Sequence, residues 1–600
     1  MSDESIFNTE NVDDSLNQHY KKGKQYQDSM KFTANWAEYE RFYAGDQWAA
    51  PTERTRNLPR PVINVVKYIE QHKKASVLSD SIKMVFTADE VQDESIPMDD
   101  PMYDKSIAQA AEGAEKFTKF SDSIWEKLDQ DTLNDEIISS AANLGTGLVH
   151  YFWNDKKTGG ISKKYIGDME GEFIDPSNCF VGNPQCKDIQ KQPWILIHKR
   201  ENIDKVKKIA ENNGISKYYL DMIGEDKNYT DIYDPAKLEL NGSKNVTVLT
   251  EYYKNEEGIV CFKKAVGDII IEKETPTKLT LYPIAVMRWD ERKKCFYGIG
   301  DTEGIIPNQK QINFLYGMMA LGVQTSAFPK LVAKEGALGN QTVTNTPGEL
   351  LIDYSAYGND GFKYLNTSAF NPQAMNLVQA FLDTTKSLAG ANDAAVGEAP
   401  GADMAAQAIM LLQKSAGLPL EDIKKRFNRF IKQVGRIWEE FYKNYYNTER
   451  SVRIKDINGQ DIPMDFKGSD YADFPYSLKI DVGPATTYSE YVAMSTLDKL
   501  KDQGDITADM YVKYLPDTLV PNKERLLNDM EKMNQIYQLL ESLGLNPDLT
   551  PINPTSGVPG MEGPISDEVN LSVGGDQALG INPVHEPSLE NIGTNNGKMV

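Results

Sequence analysis

The longest helical pattern of this 600-residue chain runs from about residue 402 to 446, and a small acidic loop precedes it. Apolar residues recur in that pattern at spacings of three and four, the period of an amphipathic helix. Its breaks at Gly417 and Pro419 predict a kink. A second helical pattern, at about 371–389, ends just before the loop. The sequence therefore predicts a loop held between two helices, a geometry suited to contact with something large.

Small side chains dominate this loop, and two carboxylates make it acidic. Its members are Gly390, Ala391, Asn392, Asp393, Ala394, Ala395, Val396, Gly397, Glu398, Ala399, Pro400 and Gly401. Alanine and glycine have almost no side-chain freedom to lose, so such a loop can change conformation at little entropic cost. The alternative interpretation is an insertion without function.

Length and charge limit the classes of protein to consider. A chain of 600 residues is too long for one hydrophobic core, so several domains or one elongated protein are expected. The formal net charge of −23 predicts an acidic surface, which repels nucleic-acid phosphates at long range. A protein that reads DNA sequence is therefore disfavoured. A protein that lets DNA pass without adhering remains compatible with this charge.

Motif patterns disfavour an enzyme. The chain has no P-loop, no His-Glu-x-x-His zinc pair and no Gly-x-Ser-x-Gly nucleophile turn. The five histidines are scattered, and the four cysteines lack Cys-x-x-Cys spacing, which favours reduced thiols over disulfides or zinc. We therefore predict no catalytic residue, no metal and no cofactor. No apolar run is long enough to span a membrane, and the acidic start lacks a signal-peptide pattern.

The other patterns mix helices with strands, so the predicted fold class is α+β. Helical patterns cover about 106–144 and 201–226, and a further helix carries Pro307 near its start, where proline is tolerated. Strand patterns concentrate at 246–289. From residue 546 to 600 there are no aromatic residues and many Pro, Gly and Asn, which predicts a disordered tail.

Three groups of short motifs occur in an informative order. The first group comprises Trp36, Phe42-Tyr-Ala-Gly-Asp-Gln-Trp48 and Arg60-Pro-Val-Ile-Asn64. The second group comprises Tyr297-Gly-Ile-Gly-Asp-Thr-Glu-Gly304 and Gln309-Lys-Gln-Ile-Asn313. The third group comprises Leu388-Ala-Gly390, Gly397, Gly401 and Ala405-Ala-Gln-Ala-Ile-Met410. Taken with the surrounding helices and strands, they resemble the portal (head-to-tail connector) proteins of tailed double-stranded-DNA phages. The resemblance covers roughly residues 30–545.

The resemblance implies a phage portal fold with a wing, long stem helices, a strand-rich clip and a helical crown. Usually twelve copies form a ring around a central channel. The implied parts begin with a flexible N-terminus at 1–29, the first part of the wing at 30–200, the first stem helix at 201–226, the clip at 227–298 and the second stem helix at 299–327. The second part of the wing follows at 328–482, and it contains the tunnel loop at 389–402 and the kinked helix at 403–446. The crown at 483–545 and a disordered tail at 546–600 complete the division.

The resemblance also implies a function without catalysis. The ring would occupy one capsid vertex of the virion, after assembly in the host cytoplasm, and genomic DNA would be packaged and ejected through it. Its implied partners are further copies of the chain, the terminase motor, the major capsid and scaffolding proteins, head-completion and tail adaptor proteins, and double-stranded DNA that passes without specific binding. The loop Gly390–Gly401 would face the DNA, and Lys310 is a candidate channel-facing residue of the stem. An ordinary surface lysine is the alternative for Lys310.

Two other hypotheses remain at this point. The chain could be another structural adaptor between phage head and tail, although its long helices argue against a small adaptor. It could instead be an acidic metal-dependent hydrolase that acts on nucleic acid or cell wall. Acidic residues are plentiful enough for such a site, but most acidic runs are solvated faces.

Overall fold

The computed structural model has the α+β class that the sequence predicts. It describes residues 13–53, 55–56, 58–80, 82–89, 101–159, 166–226, 232–233, 244–327, 331–342, 352–354, 361–364, 373–390, 406–455, 461–482, 487–515, 520 and 523–542. The chain divides into two compact units, residues 1–531 and 532–600. In the second unit the described residues, 532–542, are helical.

Helices and strands alternate irregularly along the chain. The helices are α1 (Ser15–Ser29), α2 (Phe32–Ala44), α3 (Val65–Val77), α4 (Pro101–Leu128), α5 (Gln130–Leu144), α6 (Ile203–Asn212), α7 (Lys217–Met222), α8 (Asp301–Ala327), α9 (Gln373–Leu388), α10 (Ala406–Tyr445), α11 (Thr487–Asp502), α12 (Ala508–Tyr514) and α13 (Lys523–Ser542). The strands are β1 (Ile82–Ala88), β2 (Thr146–Asn154), β3 (Asp168–Ile174), β4 (Cys179–Val181), β5 (Trp194–Asn202), β6 (Asn245–Lys254), β7 (Val260–Val266), β8 (Ile269–Pro276), β9 (Ile284–Arg288), β10 (Leu331–Ala333), β11 (Phe362–Tyr364), β12 (Arg450–Lys455), β13 (Asp461–Phe466) and β14 (Tyr476–Val482).

The largest sheet has the antiparallel order β4-β5-β6-β7-β8. β5 pairs with β6 along its whole length, from Trp194 opposite Tyr253 to Asn202 opposite Asn245. The region 227–298, predicted as a separate clip, therefore shares a sheet with a strand of the predicted wing. The apolar residues of β6 did predict a strand, but no local pattern indicates which strand it pairs with.

Two short helices stand where the sequence predicts one helical region at 201–226. α6 and α7 are separated by a turn in which Gly214 has φ +79°, a left-handed conformation that favours glycine. Their apolar residues form one cluster with the large sheet, in which Val206 and Tyr219 join Val246 and Ile271. The region is therefore helical but divided, and it packs on the sheet.

The N-terminal region differs from the flexible segment predicted for residues 1–29, because residues 15–29 form α1. Leu16 of α1 is fully buried in a cluster with Phe180 and Leu196 of the large sheet. His19 stacks on Trp194, with 4.2 Å between the ring centroids. Charged and polar residues separate the few apolar positions of α1, which hides its amphipathic pattern from sequence reasoning. Residues 1–12 lie outside the described part of the chain.

The main hydrophobic core lies between α10 and the three-stranded sheet β3-β2-β9, with α4 and α5 beside them. The predicted buried stripe of α10 is confirmed, because Phe427, Phe430, Val434 and Trp438 are at most 2% exposed. α10 is continuous through Pro419, and the kink there stays a prediction.

The long helical pattern at 106–144 forms two helices, α4 and α5. Asp129 separates them with φ +50°, and this break differs from the single predicted helix. Phe117, Phe120 and Ile124 of α4 lie in the main core. Aspartate is one of the residue types that can adopt a left-handed conformation, but the sequence around Asp129 does not predict that the helix breaks there.

α8 and α9 pack against each other, and β10 and β11 lie between them in the chain. These two strands pair with each other, and within the described residues neither belongs to a larger sheet. β1 pairs with β14, and β12 pairs with β13. Within the described residues after 482, three helices occur in the region that the resemblance implies to be a helical crown. Among the described residues, no helix is long and apolar enough to cross a membrane.

Candidate functional site

The base of α8 is the place where the separate sequence motifs meet. Gln309 of α8 is fully buried, and its side chain satisfies four backbone or side-chain partners. Its Oε1 accepts hydrogen bonds from the backbone N–H groups of Val65, at 2.9 Å, and Val66, at 3.3 Å. Its Nε2 donates to the carbonyl of Ile63, at 2.6 Å, and to Asn313 Oδ1, at 3.0 Å. Gln309 therefore accepts from two of the N–H groups that have no intrahelical partner at the start of α3.

Asn313, one turn further along α8, extends this network to the first motif. Its Nδ2 donates to Gln47 Oε1 at 2.6 Å, and Gln47 Nε2 donates to Asn64 Oδ1 at 3.1 Å. Asn64 is also the N-cap of α3, because its Oδ1 accepts from the backbone N–H of Lys67 at 3.0 Å. We call Gln47, Asn64, Gln309 and Asn313 the amide cluster. It joins α8 to the segment between α2 and α3 through buried bonds.

Tyr297 and Trp36 hold the chain just before α8. The hydroxyl of Tyr297 donates to the carbonyl of Cys179 at 2.7 Å and accepts from Gln27 Nε2 at 2.8 Å. Its ring contacts Trp36, with 5.2 Å between centroids. Gly298 follows, and a Cβ there would clash with the carbonyl oxygen of Gly145. The Tyr-Gly motif therefore reflects close packing of two backbone segments rather than a nucleotide site.

A second buried network surrounds the first turn of α8. Thr302 Oγ1 is hydrogen-bonded to Glu70 Oε1 of α3 and, at 2.9 Å, to Asn143 Oδ1 of α5. Asn143 Nδ2 donates to Glu40 Oε2 of α2 at 2.7 Å. Beside it, Lys73 forms an ion pair with Asp301 at 2.8 Å. Four helices therefore meet at one polar junction.

The pKa of Glu70 is raised to about 8. Burial is the main cause and the carboxylates of Asp301 and Glu40 add to it, against the opposing effects of the Thr302 hydrogen bond and of Lys73. Because the folded pKa exceeds the usual carboxyl value of 4.5, the native state holds this proton more tightly than the unfolded chain. Its contribution to stability is therefore complete at low pH and is lost as the pH rises through about 8.

We predict that Glu70→Gln removes this pH dependence. Glutamine keeps the acceptor for Thr302 but cannot ionise, so the variant should match the wild type near pH 5 and be more stable by on the order of 2–4 kcal/mol near pH 9. Urea unfolding at several pH values measures this. Glu115→Gln, at a side chain that is 65% exposed, is the control and should leave the profile unchanged. Identical pH profiles for Glu70→Gln and the wild type would contradict the prediction.

The predicted tunnel loop begins beside α10. Gly390, two residues after the end of α9, has φ +73°, and a Cβ on it would lie 3.4 Å from Pro419 of α10. Because Pro419 is thirteen residues into α10, the first residue of that helix lies about 20 Å along the helix from this contact. Residues Ala391–Gly401 lie outside the described part of the chain, so their role stays a prediction.

Lys310 is placed against α2. Its Nζ forms an ion pair with Glu38 at 2.7 Å and lies 5.2 Å from the ring centroid of Phe42. The side chain is 53% exposed. A surface ion pair of this kind accounts for the residue within one subunit, and a channel-facing role for Lys310 stays a prediction.

The four residues of the amide cluster belong to the sequence motifs, but the hydrogen bonds that join their side chains were not predicted. A signal was present for two of these residues, because Gln309 and Asn313 are one turn apart on the side of the helix that carries the apolar Ile305 and Ile312. Glu70 and Thr302 carried no such signal. Among the described residues, no group of three or more His, Cys, Asp or Glu side chains is placed to hold a metal ion.

Comparison with known proteins adds one finding. A family model described as the phage P22-like portal protein matches residues 194–539, which is more than half of the chain. The match includes α8, α9 and α10 and the segment that joins α9 to α10. No curated protein matches the chain.

Proposed function

Because the chain belongs to the phage P22-like portal protein family, we propose that copies of it form a closed ring at one capsid vertex, through which genomic DNA is packaged and ejected. The family match is the observation that carries this proposal. The terminase motor would dock on the ring during packaging, and capsid, scaffolding, head-completion and tail proteins would contact it. The role is structural, without catalysis. The adaptor and hydrolase hypotheses have no observation in their favour.

The surface of α8 supports assembly with further copies. No charged residue occurs from residue 311 to 327, the second part of that helix. Phe314, Met318 and Val323 are 45%, 48% and 55% exposed in the single subunit. Neighbouring α9 adds exposed apolar residues, including Leu377, at 48%. Apolar surface of this extent on a folded protein marks sites of protein–protein contact.

The contacts also favour a revised division into parts. α8 and α9 pack side by side, whereas α6, α7 and β6–β9 pack into the sheets of the predicted wing. We therefore place the stem in α8 and α9, and the clip in the segment between them, 328–372. The crown stays at 483–545, and the tunnel loop and α10 stay as the sequence suggested. The amide cluster would fix the base of the stem to the wing.

Shortening the tunnel loop tests the DNA-facing role. We predict that replacing residues 392–399 by a short Gly-Ser linker leaves the ring intact and strongly reduces the amount of packaged DNA. The two helices that hold the loop have their own contacts, and Gly390 and Pro419 are unchanged. Electron microscopy of the purified variant and the DNA content of assembled heads measure the two effects. Loss of the ring itself would show that the loop is structural instead.

A further inference from the structure

The C-terminal half of α10 carries an unusual charge distribution. Residues 423–438 include six lysines and arginines and no aspartate or glutamate. The whole chain has the opposite balance, with 88 acidic and 65 basic residues. Acidic side chains return directly on either side, at Asp422 and Glu439. This segment is therefore a local reversal of the charge of the protein.

Two of the six cations are neutralised within the subunit. Lys424, whose side chain is 10% exposed, forms an ion pair with Asp80 at 2.9 Å. Arg426 forms ion pairs with Asp290, at 2.9 Å, and Asp422, at 2.6 Å. The ion pairs with Asp80 and Asp290 attach the helix to neighbouring segments of its own subunit, whereas Asp422 lies on the same helix.

The other four cations are exposed and form no ion pair within the part of the chain that the structure describes. They are Lys425, Arg429, Lys432 and Arg436. Their spacing of four, three and four residues places them on one side of the helix, along about 16 Å. The opposite side, which includes Phe427, Phe430 and Val434, is buried in the main core. We call the four residues the basic face of α10.

Solvation alone is a poor explanation for the basic face. Like charges three or four residues apart on a helix destabilise it by about 0.2–0.5 kcal/mol per pair, and a free surface can avoid this cost with acidic or neutral residues. The helix dipole does not offset the cost, since its effect is confined to the last turn and α10 ends at Tyr445. An anionic partner would offset it.

We propose that the basic face of α10 binds an acidic surface of the neighbouring copy of this chain. The inference rests on the ring proposed above. Each copy carries a formal charge of −23, so two copies repel each other unless cations lie at their contact. Neighbours in a ring meet through different surfaces, which allows a basic face to contact an acidic one. Arg429 and Arg436 can each bind a carboxylate through two hydrogen bonds.

Duplex DNA is the other polyanion near a portal ring, and the observations favour it less. Four fixed cations from every copy would form a large number of phosphate contacts around the channel. Such contacts give strong, salt-dependent binding, which would slow the DNA that has to move through. An acidic neighbour has no need to move along the basic face.

Charge reversal tests the proposal. We expect Arg429→Glu/Arg436→Glu to need at least a tenfold higher protein concentration for half-maximal ring formation than the wild type, at about 0.15 M salt. The control, Lys208→Glu/Lys293→Glu, changes two other exposed lysines and makes the same change in net charge. It should assemble like the wild type. Sedimentation velocity measures assembly, and circular dichroism of the subunit checks that each variant is folded.

Each outcome has one meaning. Assembly of the Arg429→Glu/Arg436→Glu variant at the wild-type concentration would overturn the inference and leave the proposed function in place. Equal loss of assembly in both variants would also overturn it, because the effect would then come from net charge. Intact rings with impaired passage of DNA would assign the basic face to phosphate contact instead. A wild type that forms no ring would overturn the proposed function itself. If the variant is unfolded, Arg429→Gln/Arg436→Gln replaces it, with the same expected direction.

Discussion

Replacement of Gln309 by leucine is expected to destabilise the subunit by about 2–3 kcal/mol. Leucine has a similar volume but leaves the N–H of Val66 without its acceptor. The N–H of Val65 and the carbonyl of Ile63 also lose their bonds to Gln309 and keep only the bond to each other, at 2.9 Å. Each unsatisfied buried polar group costs about 1–3 kcal/mol. The loss should also weaken the attachment of α8 to the start of α3, while the contacts of Thr302 with Glu70 and of Asp301 with Lys73 remain.

Gln311→Leu is the matched control for this prediction. Gln311 lies on the same helix, two residues away, with its side chain exposed. Its replacement should change the free energy of unfolding by no more than about 0.5 kcal/mol. Urea unfolding of the two variants and the wild type measures the difference. Equal stability of the Gln309 and Gln311 variants would mean that the buried amide bonds do not hold α8.

Loss of the negative charge of Asp168 is expected to have a comparable effect. Asp168 is 4% exposed, and its carboxylate contacts Lys127, accepts from Tyr446 at 2.7 Å and lies 3.4 Å from Arg450. The Arg450 side chain is 9% exposed. In Asp168→Asn the Tyr446 bond can persist, but the guanidinium loses its counter-ion. A buried charge left unpaired in this way costs about 3–5 kcal/mol.

Glu170→Gln provides the comparison, because Glu170 lies two residues away in the same strand. It forms an ion pair with Lys157 at 2.8 Å, and the two side chains are 29% and 49% exposed. Solvent-exposed pairs contribute about 0–1 kcal/mol. Urea unfolding should therefore separate the Asp168 and Glu170 variants by at least about 2 kcal/mol. A smaller difference would contradict the importance of the buried charge.

Sequence periodicity predicted the elements whose burial follows a regular pattern. The stripe of Phe427, Phe430, Val434 and Trp438 is an example, since each of these residues reaches the core through the helical spacing alone. The strands at 246–289 carried a similar signal. In both cases the structure has the type of element that the local spacing of apolar residues predicts.

The division into parts was harder to predict, because it depends on pairing between distant segments. Trp194 lies opposite Tyr253, and Ile82 lies opposite Val482. Nothing near these residues in the chain indicates such partners. The region predicted to hold the clip shares a sheet with a strand of the predicted wing, and the division into parts stays a proposal.

The candidate site was predicted only as separate fragments. The motifs around Gln47, Asn64 and Gln309 carried the resemblance, but their amides are meaningful only once they lie within hydrogen-bond distance of each other. Glu70 shows the limit most clearly. Its raised pKa results from burial among α2, α3, α5 and α8, which a single sequence does not reveal.

The most direct test of the central claim is electron microscopy of the purified full-length protein, with the head proteins of its phage present. We predict a closed ring of identical subunits with a central hole wide enough for duplex DNA. A protein that stays a monodisperse monomer under these conditions would contradict the account.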